Sequence, residues 1–440
     1  MIRPDMPCVA KGCLKMDEAA KNRQSSWEGI SGEGVRLTLE GREYIDCASG
    51  TFNVSLGYSN RKIIEPLHRQ LDRAAHLSSA FTAQKAQEIF AQLREFLPAQ
   101  IDRFWFRDIT GSTANECAIR MAQKFTGRSE VISLFLSHHG QSALATGISG
   151  NSFRQRAFSL PVVGSLKIPA PTCSNCFYGQ QVEKCGLLCA VRLEDFLEYV
   201  SNGHPAALII EPILGNGGNI VPPPGYFRKI REICDRHGII VIADEVQTGF
   251  GRTGTFFAST GMAEDLRPDI ITFAKGAGGV GIPVAGVAMR RELDVLEPWE
   301  HSSTSGANPL ALVALEETIR YIRDNGVLDN VQGMSKILKG GLLELEHRFP
   351  AVTEVRGEGL MLAFDLPSPS DVVRFIEVGR AHGLILRGSR YGFGRAVKIR
   401  PPLIISRAEV DEILVALDTA LTEFTGPPAI AAPQQNLAAG

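Results

Sequence analysis

Three apolar stretches carry most of the information about the fold: AALIIEP at 206–212, GIIVIADE at 238–245 and DIITFAKG at 269–276. Each is short, rich in β-branched residues and almost uninterrupted by polar ones, which is typical of parallel strands covered on both faces. Between the first two, apolar residues recur at helical spacing from Tyr226 to Cys234. This order indicates a β-α-β unit, so the sequence predicts an α/β fold with a mostly parallel central sheet.

A polar residue follows each of these strands: Glu211, Asp244 and Lys275. Ligands of open α/β sheets bind just beyond the carboxyl ends of the strands, so we expect the three side chains to face one crevice. Alone, a lysine in such a place is usually solvated and an aspartate is usually a helix cap. Together they favour a pyridoxal 5'-phosphate (PLP) site, with a Schiff base on Lys275 and Asp244 paired with the ring nitrogen.

Two neighbours of Asp244 complete this prediction. Val246 lies two residues further on, so in extended backbone it faces the same side as Asp244 and presses on the cofactor ring. Gln247 is then placed to donate a hydrogen bond to the phenolic oxygen of the ring. We expect PLP as the cofactor and no metal at this site.

An earlier unit supplies a candidate phosphate site. The apolar run Phe104 to Phe106 precedes TGSTANE at 110–116, and an amphipathic helix is predicted from Ala118 to about Lys124. Small polar residues at a helix N-terminus aim backbone N–H groups and hydroxyls at one anion. A further strand, from Glu130 to Phe135, leads to His138, His139 and Gly140.

The glycine run Gly276–Gly281 offers a rival interpretation, because GAGGVG matches the dinucleotide-binding pattern and follows a strand. That pattern requires a helix next, whereas 282–289 is predicted to be another strand, and no acidic residue ends a second strand about 20 residues on. A nicotinamide-dependent dehydrogenase is therefore a distant alternative. The glycines are better explained as a tight turn beside a bound cofactor.

The remaining chain suggests a second, smaller domain. GVRLTLEGREYIDC at 34–47 is predicted to be a hairpin turning at Glu40–Gly41, and helices and short strands follow Gly306. We expect residues 1–60 and 306–425 to contribute the N- and C-terminal parts of a small α+β domain, and 61–305 to form the large PLP-binding domain. Residues 426–440, rich in Pro, Ala, Gln and Gly, are predicted to be a disordered tail.

Composition excludes several classes of partner. The net charge is −2 with acids and bases interspersed, and no apolar stretch approaches the ~20 residues needed to span a bilayer. We expect a cytoplasmic enzyme with small-molecule partners, without nucleic acid or membrane. The first 18 residues have no apolar run typical of a signal peptide, so we expect no export signal, and the nine cysteines then favour reduced thiols. The spacing of Cys173, Cys176, Cys185 and Cys189 is also compatible with zinc, which stays open beside the interpretation as free thiols.

The segment DEVQTGFGRTG at 244–254 resembles the most specific motif of the class III (ornithine/4-aminobutyrate type) aminotransferases, which are PLP enzymes of fold type I. Lys275, 31 residues after Asp244, falls where the Schiff-base lysine of that family falls. The resemblance runs from about Gly34 to the last helix. It implies the same fold, the same cofactor and an aminotransferase activity.

Further residues take expected roles from this resemblance. TGSTANE at 110–116 is similar to the phosphate-binding motif, which implies that Gly111 and Ser112 contact the phosphate. Thr304 in HSSTSGANP resembles the threonine that reaches the phosphate of the neighbouring subunit, which implies a homodimer with shared active sites. Glu211 matches an acid that pairs with an arginine when no carboxylate is bound, and Phe52 matches an aromatic residue of the substrate pocket.

Three departures concern the substrate. His138 stands where the family usually places Tyr or Phe on the cofactor ring, and Thr113 where it usually has Glu. Lys398 replaces the carboxylate-binding arginine three residues before Pro401, and Arg400 immediately precedes that proline. Lysine and arginine are not interchangeable in bidentate carboxylate binding.

We therefore expect a ping-pong transamination between an amino-acid donor, Glu or Ala, and a carbonyl substrate. The departures favour an amino sugar or another amine that is not an α-amino acid, from a biosynthetic pathway such as that of an antibiotic. A PLP-dependent racemase or epimerase on the same fold is the alternative.

Overall fold

The structure is a computed structural model that describes residues 29–155 and 164–426, and its strands form three sheets. The strands are β1 (Ser31–Glu33), β2 (Arg36–Leu39), β3 (Arg42–Asp46), β4 (Arg103–Asp108), β5 (Glu130–Leu134), β6 (Ser165–Ile168), β7 (Pro205–Ile210), β8 (Ile240–Asp244), β9 (Ile270–Phe273), β10 (Ala285–Met289), β11 (Thr353–Glu358), β12 (Met361–Asp365), β13 (Leu384–Ile385), β14 (Arg387–Gly388) and β15 (Ala396–Ile399). The right-handed α-helices are α1 (Arg61–Leu71), α2 (Ser79–Leu93), α3 (Gly111–Thr126), α4 (Ala143–Ile148), α5 (Leu188–Val191), α6 (Leu193–Tyr199), α7 (Tyr226–His237), α8 (Pro309–Asp324), α9 (Val327–Arg348), α10 (Pro369–Ala381) and α11 (Arg407–Thr425).

The central sheet has seven strands in the order β4-β10-β9-β8-β7-β5-β6. The strands from β9 to β6 are parallel, and β10 is antiparallel to both of its neighbours. The three apolar stretches of the sequence are β7, β8 and β9, which lie side by side. The predicted α/β fold with a mostly parallel sheet is therefore confirmed, and the side chains that follow these strands share one edge.

Both faces of the sheet are covered, which explains the uninterrupted apolar runs. In β7, Leu208 and Ile210 belong to the larger hydrophobic cluster of the protein, which extends to the C-terminal helices. Ala207 and Ile209, between and before them, belong to a second cluster with α3. Successive side chains of a strand point to opposite faces, so a strand buried on both sides is apolar at every position.

The helix after β4 begins earlier than the sequence suggested. It starts at Gly111 rather than Ala118, because the Thr110 side chain caps it by accepting the Thr113 backbone N–H at 3.3 Å. It ends at Gly127, whose φ of 67° is the left-handed conformation that terminates many helices. The phosphate-site residues thus lie in the first turn of a helix of 16 residues.

The glycine run after Lys275 forms a 3₁₀ turn over Lys275–Gly278 and leads into β10, not into a helix. The strand predicted for 282–289 is shorter, Ala285–Met289. Its antiparallel direction removes the β-α-β context that the dinucleotide-binding interpretation needs.

The two smaller sheets join the ends of the chain. The predicted hairpin is β2-β3, with Glu40 and Gly41 both at positive φ (53° and 76°), as a two-residue type I′ turn requires. Strand β13 pairs in parallel with β3, placing Leu384 beside Ile45. The N-terminal and C-terminal segments therefore share a sheet, although the exact domain boundaries stay predictions.

The last helix, α11, ends at Thr425, and residues 427–440 of the predicted tail lie outside the described residues. Among the helices that the structure describes, none is long and apolar enough to span a bilayer. The cytoplasmic location stays a prediction.

Candidate active site

Asp244 is the last residue of β8 and is buried in a network of hydrogen bonds. Its Oδ2 accepts from Asn115 Nδ2 at 2.8 Å and lies 2.8 Å from His139 Nδ1, and its Oδ1 accepts from the Val246 backbone N–H at 3.2 Å. Burial opposes the charged form, but the His139 and Asn115 contacts and the Lys275 charge lower the pKa of Asp244. The carboxylate is therefore held ionised at the edge of the sheet.

Two members of that network were missed by the sequence analysis. Asn115 lies in α3, and its Oδ1 accepts from the Thr272 hydroxyl of β9 at 2.6 Å, so its amide is fixed in orientation. Asn115 Nδ2 also donates to the His139 backbone oxygen at 2.7 Å. Asn115 and His139 both stand in motifs quoted from the sequence. Each lies more than 100 residues before Asp244 in the chain, so only the folded structure reveals the pairing.

Lys275 follows β9 and is partly buried, and its φ of 45° is in the left-handed region. A residue other than glycine in that region costs on the order of 1–3 kcal/mol, and such strain clusters at active sites. The amine lies 5.9 Å from the centre of the Phe52 ring. Burial lowers the pKa of Lys275 to about 8, although the charges of Asp244 and Glu211 oppose this.

The first turn of α3 is built for close approach. A Cβ on Gly111 would lie 2.8 Å from both methyl groups of Val246, so only glycine fits there. The Ser112 hydroxyl accepts the Gln141 backbone N–H at 3.0 Å, and Gly140, at φ 142°, packs so closely that a Cβ there would clash with that hydroxyl at 2.5 Å. Val246, Gly111 and Ser112 thus surround one helix N-terminus, where backbone N–H groups favour an anion.

His138 lies on the wall beside Lys275. Its Nδ1 is buried without a partner among the described residues. Burial, assisted by the charges of Arg154 and Lys275, lowers the pKa of His138 to about 3. The imidazole is therefore neutral near pH 7, so it presents a flat apolar face rather than a cation.

Glu211 is buried, and its hydrogen bonds differ from those that the family resemblance implies. Its Oε1 accepts the His138 backbone N–H at 2.7 Å, and its Oε2 accepts from the Gly215 N–H at 3.2 Å and from Gln247 Nε2 at 3.4 Å. Two backbone N–H groups and an amide thus stand where an arginine was expected. Burial, together with the charge of Asp244, raises the pKa of Glu211, while His139 opposes the rise.

Phe52 ends a left-handed turn, Ser49–Phe52, in which all four residues have positive φ. Arg400 Cζ lies 4.1 Å and Arg252 Cζ 5.4 Å from the centre of its ring. The turn is held by Asp46, whose carboxylate accepts from the Gly50 N–H at 2.7 Å. The aromatic residue expected in the substrate pocket therefore lies among cations and within reach of Lys275.

The cations around Phe52 are buried and have few acidic partners. Arg252 donates to the backbone oxygens of Leu360 (2.9 Å) and Pro401 (2.6 Å), whereas Arg400 Nε is buried without a partner among the described residues. Burial lowers the pKa of Arg252 and of Arg400 to about 9 each, helped by the charge of Arg400 at the former and of Arg387 at the latter. Burial also lowers the pKa of Lys398 well below its usual value. Arg252 was quoted within a motif but not recognised as a pocket residue.

Thr304 lies apart from these residues and is exposed, in the segment before α8. That segment is anchored by His301, whose Nε2 lies 3.1 Å from Asp108 Oδ1. Its predicted contact with a neighbouring subunit concerns a second chain and stays a prediction. With Cys117, Asp108 and His301 form the one set of three potential metal ligands that lie within 4.8 Å of one another in the described part of the chain.

The comparisons with known proteins agree with this geometry. The family model of class III aminotransferases matches residues 23–421. The chain is 32% identical to the leucine/methionine racemase of Thermococcus litoralis over 88% of each protein. It is 31% identical to the acetylornithine aminotransferase of Methanothermobacter thermautotrophicus, over 89% of this chain and 93% of that protein. It is also 31% identical to the diaminobutyrate–2-oxoglutarate aminotransferase of Rhizobium meliloti, over 89% of this chain and 87% of that protein.

The solved structure of the omega transaminase from Pseudomonas jessenii in complex with PMP is similar over 97% of this chain and 96% of that one, with a TM-score of 0.85 and 26% identity. Fold and site thus define a fold type I transaminase that depends on PLP. The chain belongs to the class III aminotransferase family.

The site fits that cofactor in three respects. Asp244 is a buried, ionised carboxylate of the kind that pairs with a protonated ring nitrogen, and Lys275 is a partly buried lysine one strand away. Gly111 and Ser112 form the first turn of α3, whose backbone N–H groups and hydroxyl suit a phosphate at that helix N-terminus. The unpartnered, neutral imidazole of His138 is suited to lie against a ring.

Proposed function

We propose that this aminotransferase moves an amino group between an amino-acid donor, glutamate or alanine, and a carbonyl substrate that carries an anionic group. One observation above all supports the chemistry. The buried carboxylate of Asp244 and the partly buried Lys275 stand at the ends of the neighbouring parallel strands β8 and β9. Substrates of both half-reactions are small amines and carbonyl compounds.

The chemistry of the bound cofactor is that of an electron sink, which accepts the electrons left on the substrate carbon when a proton is removed. Lys275 would hold the cofactor covalently. Asp244, kept ionised by Asn115 and His139, would hold a proton on the ring nitrogen. Once displaced by the donor amine, Lys275 would remove the substrate proton and return it, and its lowered pKa keeps part of the amine neutral near pH 7.

The other contacts to the cofactor follow from position. Gly111 and Ser112 would bind the phosphate, and His138 and Val246 would lie against the ring faces. Gln247, now bonded to Glu211 at 3.4 Å, would donate to the phenolic oxygen. The partner subunit's Thr304 would complete the phosphate site of a homodimer, because Thr304 is exposed on the described chain.

The anionic group of the substrate is inferred from the cations around Phe52. Burying a charge without a partner is costly. Few acidic groups lie beside the basic side chains of Lys398, Arg400 and Arg252. A carboxylate or phosphate on the substrate would supply the negative charge. The two distances to the Phe52 ring place Arg400 Cζ within about 10 Å of Lys275 Nζ, which suits an amine a few bonds from its anion.

A screen of amine donors and carbonyl acceptors on the purified, PLP-loaded dimer tests this proposal. We expect turnover with glutamate or alanine as donor, and with acceptors that carry a carboxylate or phosphate. A neutral amino sugar lacks a group for Lys398 and Arg400, so preferential turnover of neutral amino sugars would contradict the anionic substrate. The role in an antibiotic pathway stays a prediction, and turnover of an amino sugar in the same screen would support it.

The racemase of Thermococcus litoralis, 32% identical, supports a second candidate reaction on the same site. A racemase returns the proton to the same substrate carbon, so the residues described above serve it equally well. Incubation of single enantiomers in deuterated water separates the two reactions. Deuterium exchange and inversion without net amine transfer would favour the racemase.

A further inference from the structure

Residues 169–187, between β6 and α5, contain neither helix nor strand. Loops longer than about 12–15 residues without secondary structure are uncommon in compact domains, and ordered ones are usually functional. This one is packed against the protein, since the Phe177 ring meets Phe135 edge-on with centroids 5.7 Å apart. The backbone of such a segment needs a local means of holding its shape.

Four cysteines of this region share one cavity. Cys173, Cys176, Cys185 and Cys189 all line it, beside Phe177 and other residues of the loop. None of the four is in a disulfide. The sequence alone did not show that the four cysteines share a cavity. It left free thiols as the favoured interpretation, because no histidine completes a familiar zinc-binding pattern.

Local backbone turns direct each pair of cysteines towards the cavity. The Cys176 carbonyl accepts the Gly179 N–H at 3.0 Å, and the Cys185 carbonyl accepts the Leu188 N–H at 3.2 Å. Cys189 lies in α5, and Cys185 lies just before it, where Gly186 and Leu187 at positive φ (57° and 60°) turn the chain so that both cysteines line the same cavity. Cys173 and Cys176 are separated by two residues, the commonest spacing of a thiolate pair around a metal.

We propose that this cavity binds one zinc ion through the four thiolates of Cys173, Cys176, Cys185 and Cys189. Thiolates select soft or borderline ions, and four of them make the closed tetrahedral set typical of structural zinc. The spacing, with two and three residues inside the pairs, differs from the usual runs that hold iron–sulfur clusters.

Zinc binding draws the four sulfurs inward. No three of them belong to a set within 4.8 Å of one another in the described residues, whereas zinc holds each sulfur at about 2.3 Å. Each thiol releases its proton when it becomes a ligand. The ion would fix Phe177 on Phe135, which precedes His138 by three residues, so the zinc loop supports one wall of the active site.

Metal analysis of the PLP-loaded enzyme, purified under reducing conditions, tests the site. We expect about one zinc per chain, with a large loss of zinc in Cys176→Ser and in Cys189→Ser. Cys13→Ser is the matched control, which removes a thiol outside the set and should keep the zinc. Stoichiometric iron instead of zinc, or zinc that is unchanged in both variants, would overturn the proposal.

A measurement on the unsubstituted enzyme keeps the test independent of folding defects. A mercurial titrant should release zinc, detected with a colorimetric chelator, in step with the modification of four thiols. Native protein that contains no zinc and whose four loop cysteines all react freely would also overturn the proposal. So would a disulfide within the set in protein kept reduced throughout purification.

Discussion

Two parts of the site differ in how their charged groups are partnered: the cofactor side, around Asp244 and Lys275, and the substrate side, around Phe52, Lys398 and Arg400. On the cofactor side, Asn115 and His139 hydrogen-bond to the Asp244 carboxylate and hold it ionised, and the Thr272 hydroxyl in turn fixes the Asn115 amide. On the substrate side, the basic side chains of Lys398 and Arg400 are buried with little acidic compensation, and burial lowers the pKa of each.

This difference separates the two parts of the activity. A fully hydrogen-bonded carboxylate is preorganised, so it performs one task without rearrangement. Buried cations without an acid are completed only when an anion arrives, so they select the ligand. The cofactor side therefore explains the family chemistry, and the substrate side explains why the family alone does not give the substrate.

The largest expected effect is on the cofactor side. Lys275→Ala should lower kcat by ~10⁴-fold, because the residue proposed to remove and return the substrate proton is lost. Lys336→Ala, at an exposed lysine of α9, is the matched control and should keep full activity. A Lys275→Ala enzyme with near-normal turnover of an amine donor would place the chemistry elsewhere.

A second change on the same side should have a smaller effect. Asp244→Asn removes the charge that holds the ring nitrogen protonated but keeps the shape, so we expect kcat to fall by about 10²-fold, or roughly 3 kcal/mol. The absorbance of the bound cofactor should shift as well. Asp72→Asn, on the surface, should change neither quantity, and a normal kcat in Asp244→Asn would refute the assigned role.

On the substrate side the effect should be on KM rather than kcat. Lys398→Met removes one cation of the anion-binding group, so KM for an anionic substrate should rise by about 10-fold, the loss of one charged hydrogen bond. The melting temperature should not fall, because a buried amine with little acidic compensation is replaced by an apolar side chain. Lys398→Arg should restore most of the affinity, and an unchanged KM in Lys398→Met would remove this residue from the pocket.

The smallest effect concerns pH. Burial lowers the pKa of Lys275 from 10.5 to about 8, and only the neutral amine attacks the cofactor aldehyde. The rate of PLP loading onto apoenzyme should therefore rise with pH and level off above about 8. A rate that keeps rising to pH 10 would show an unshifted amine.

Much of the fold was predictable because buried parallel strands are apolar at every position, so β7, β8 and β9 could be located closely from the sequence. The start of α3 was not, since Gly111 and Ser112 are weak helix formers and the cap by Thr110 is a matter of backbone conformation. The antiparallel direction of β10 likewise depends on the turn after Lys275. Neither feature has a periodic signal.

The site followed the same division. Lys275, Asp244 and Gly111 could be predicted because each occupies a strand end or a helix start. The partners of Glu211 could not, because they come from the His138 and Gly215 backbones, and only the folded chain brings the former near. The shared position of Arg252 and Arg400 at Phe52 was hidden for the same reason.

The central claim is that the cofactor is held by Lys275 at the end of β9. The chain contains a second lysine with a strongly lowered pKa, Lys398, so the claim can fail in a defined way. Reduction of the PLP-loaded enzyme with borohydride, followed by peptide mapping, identifies the modified residue. We expect a pyridoxyl group on Lys275 alone, and a modification on Lys398 or on any other lysine would contradict the proposed role of Lys275.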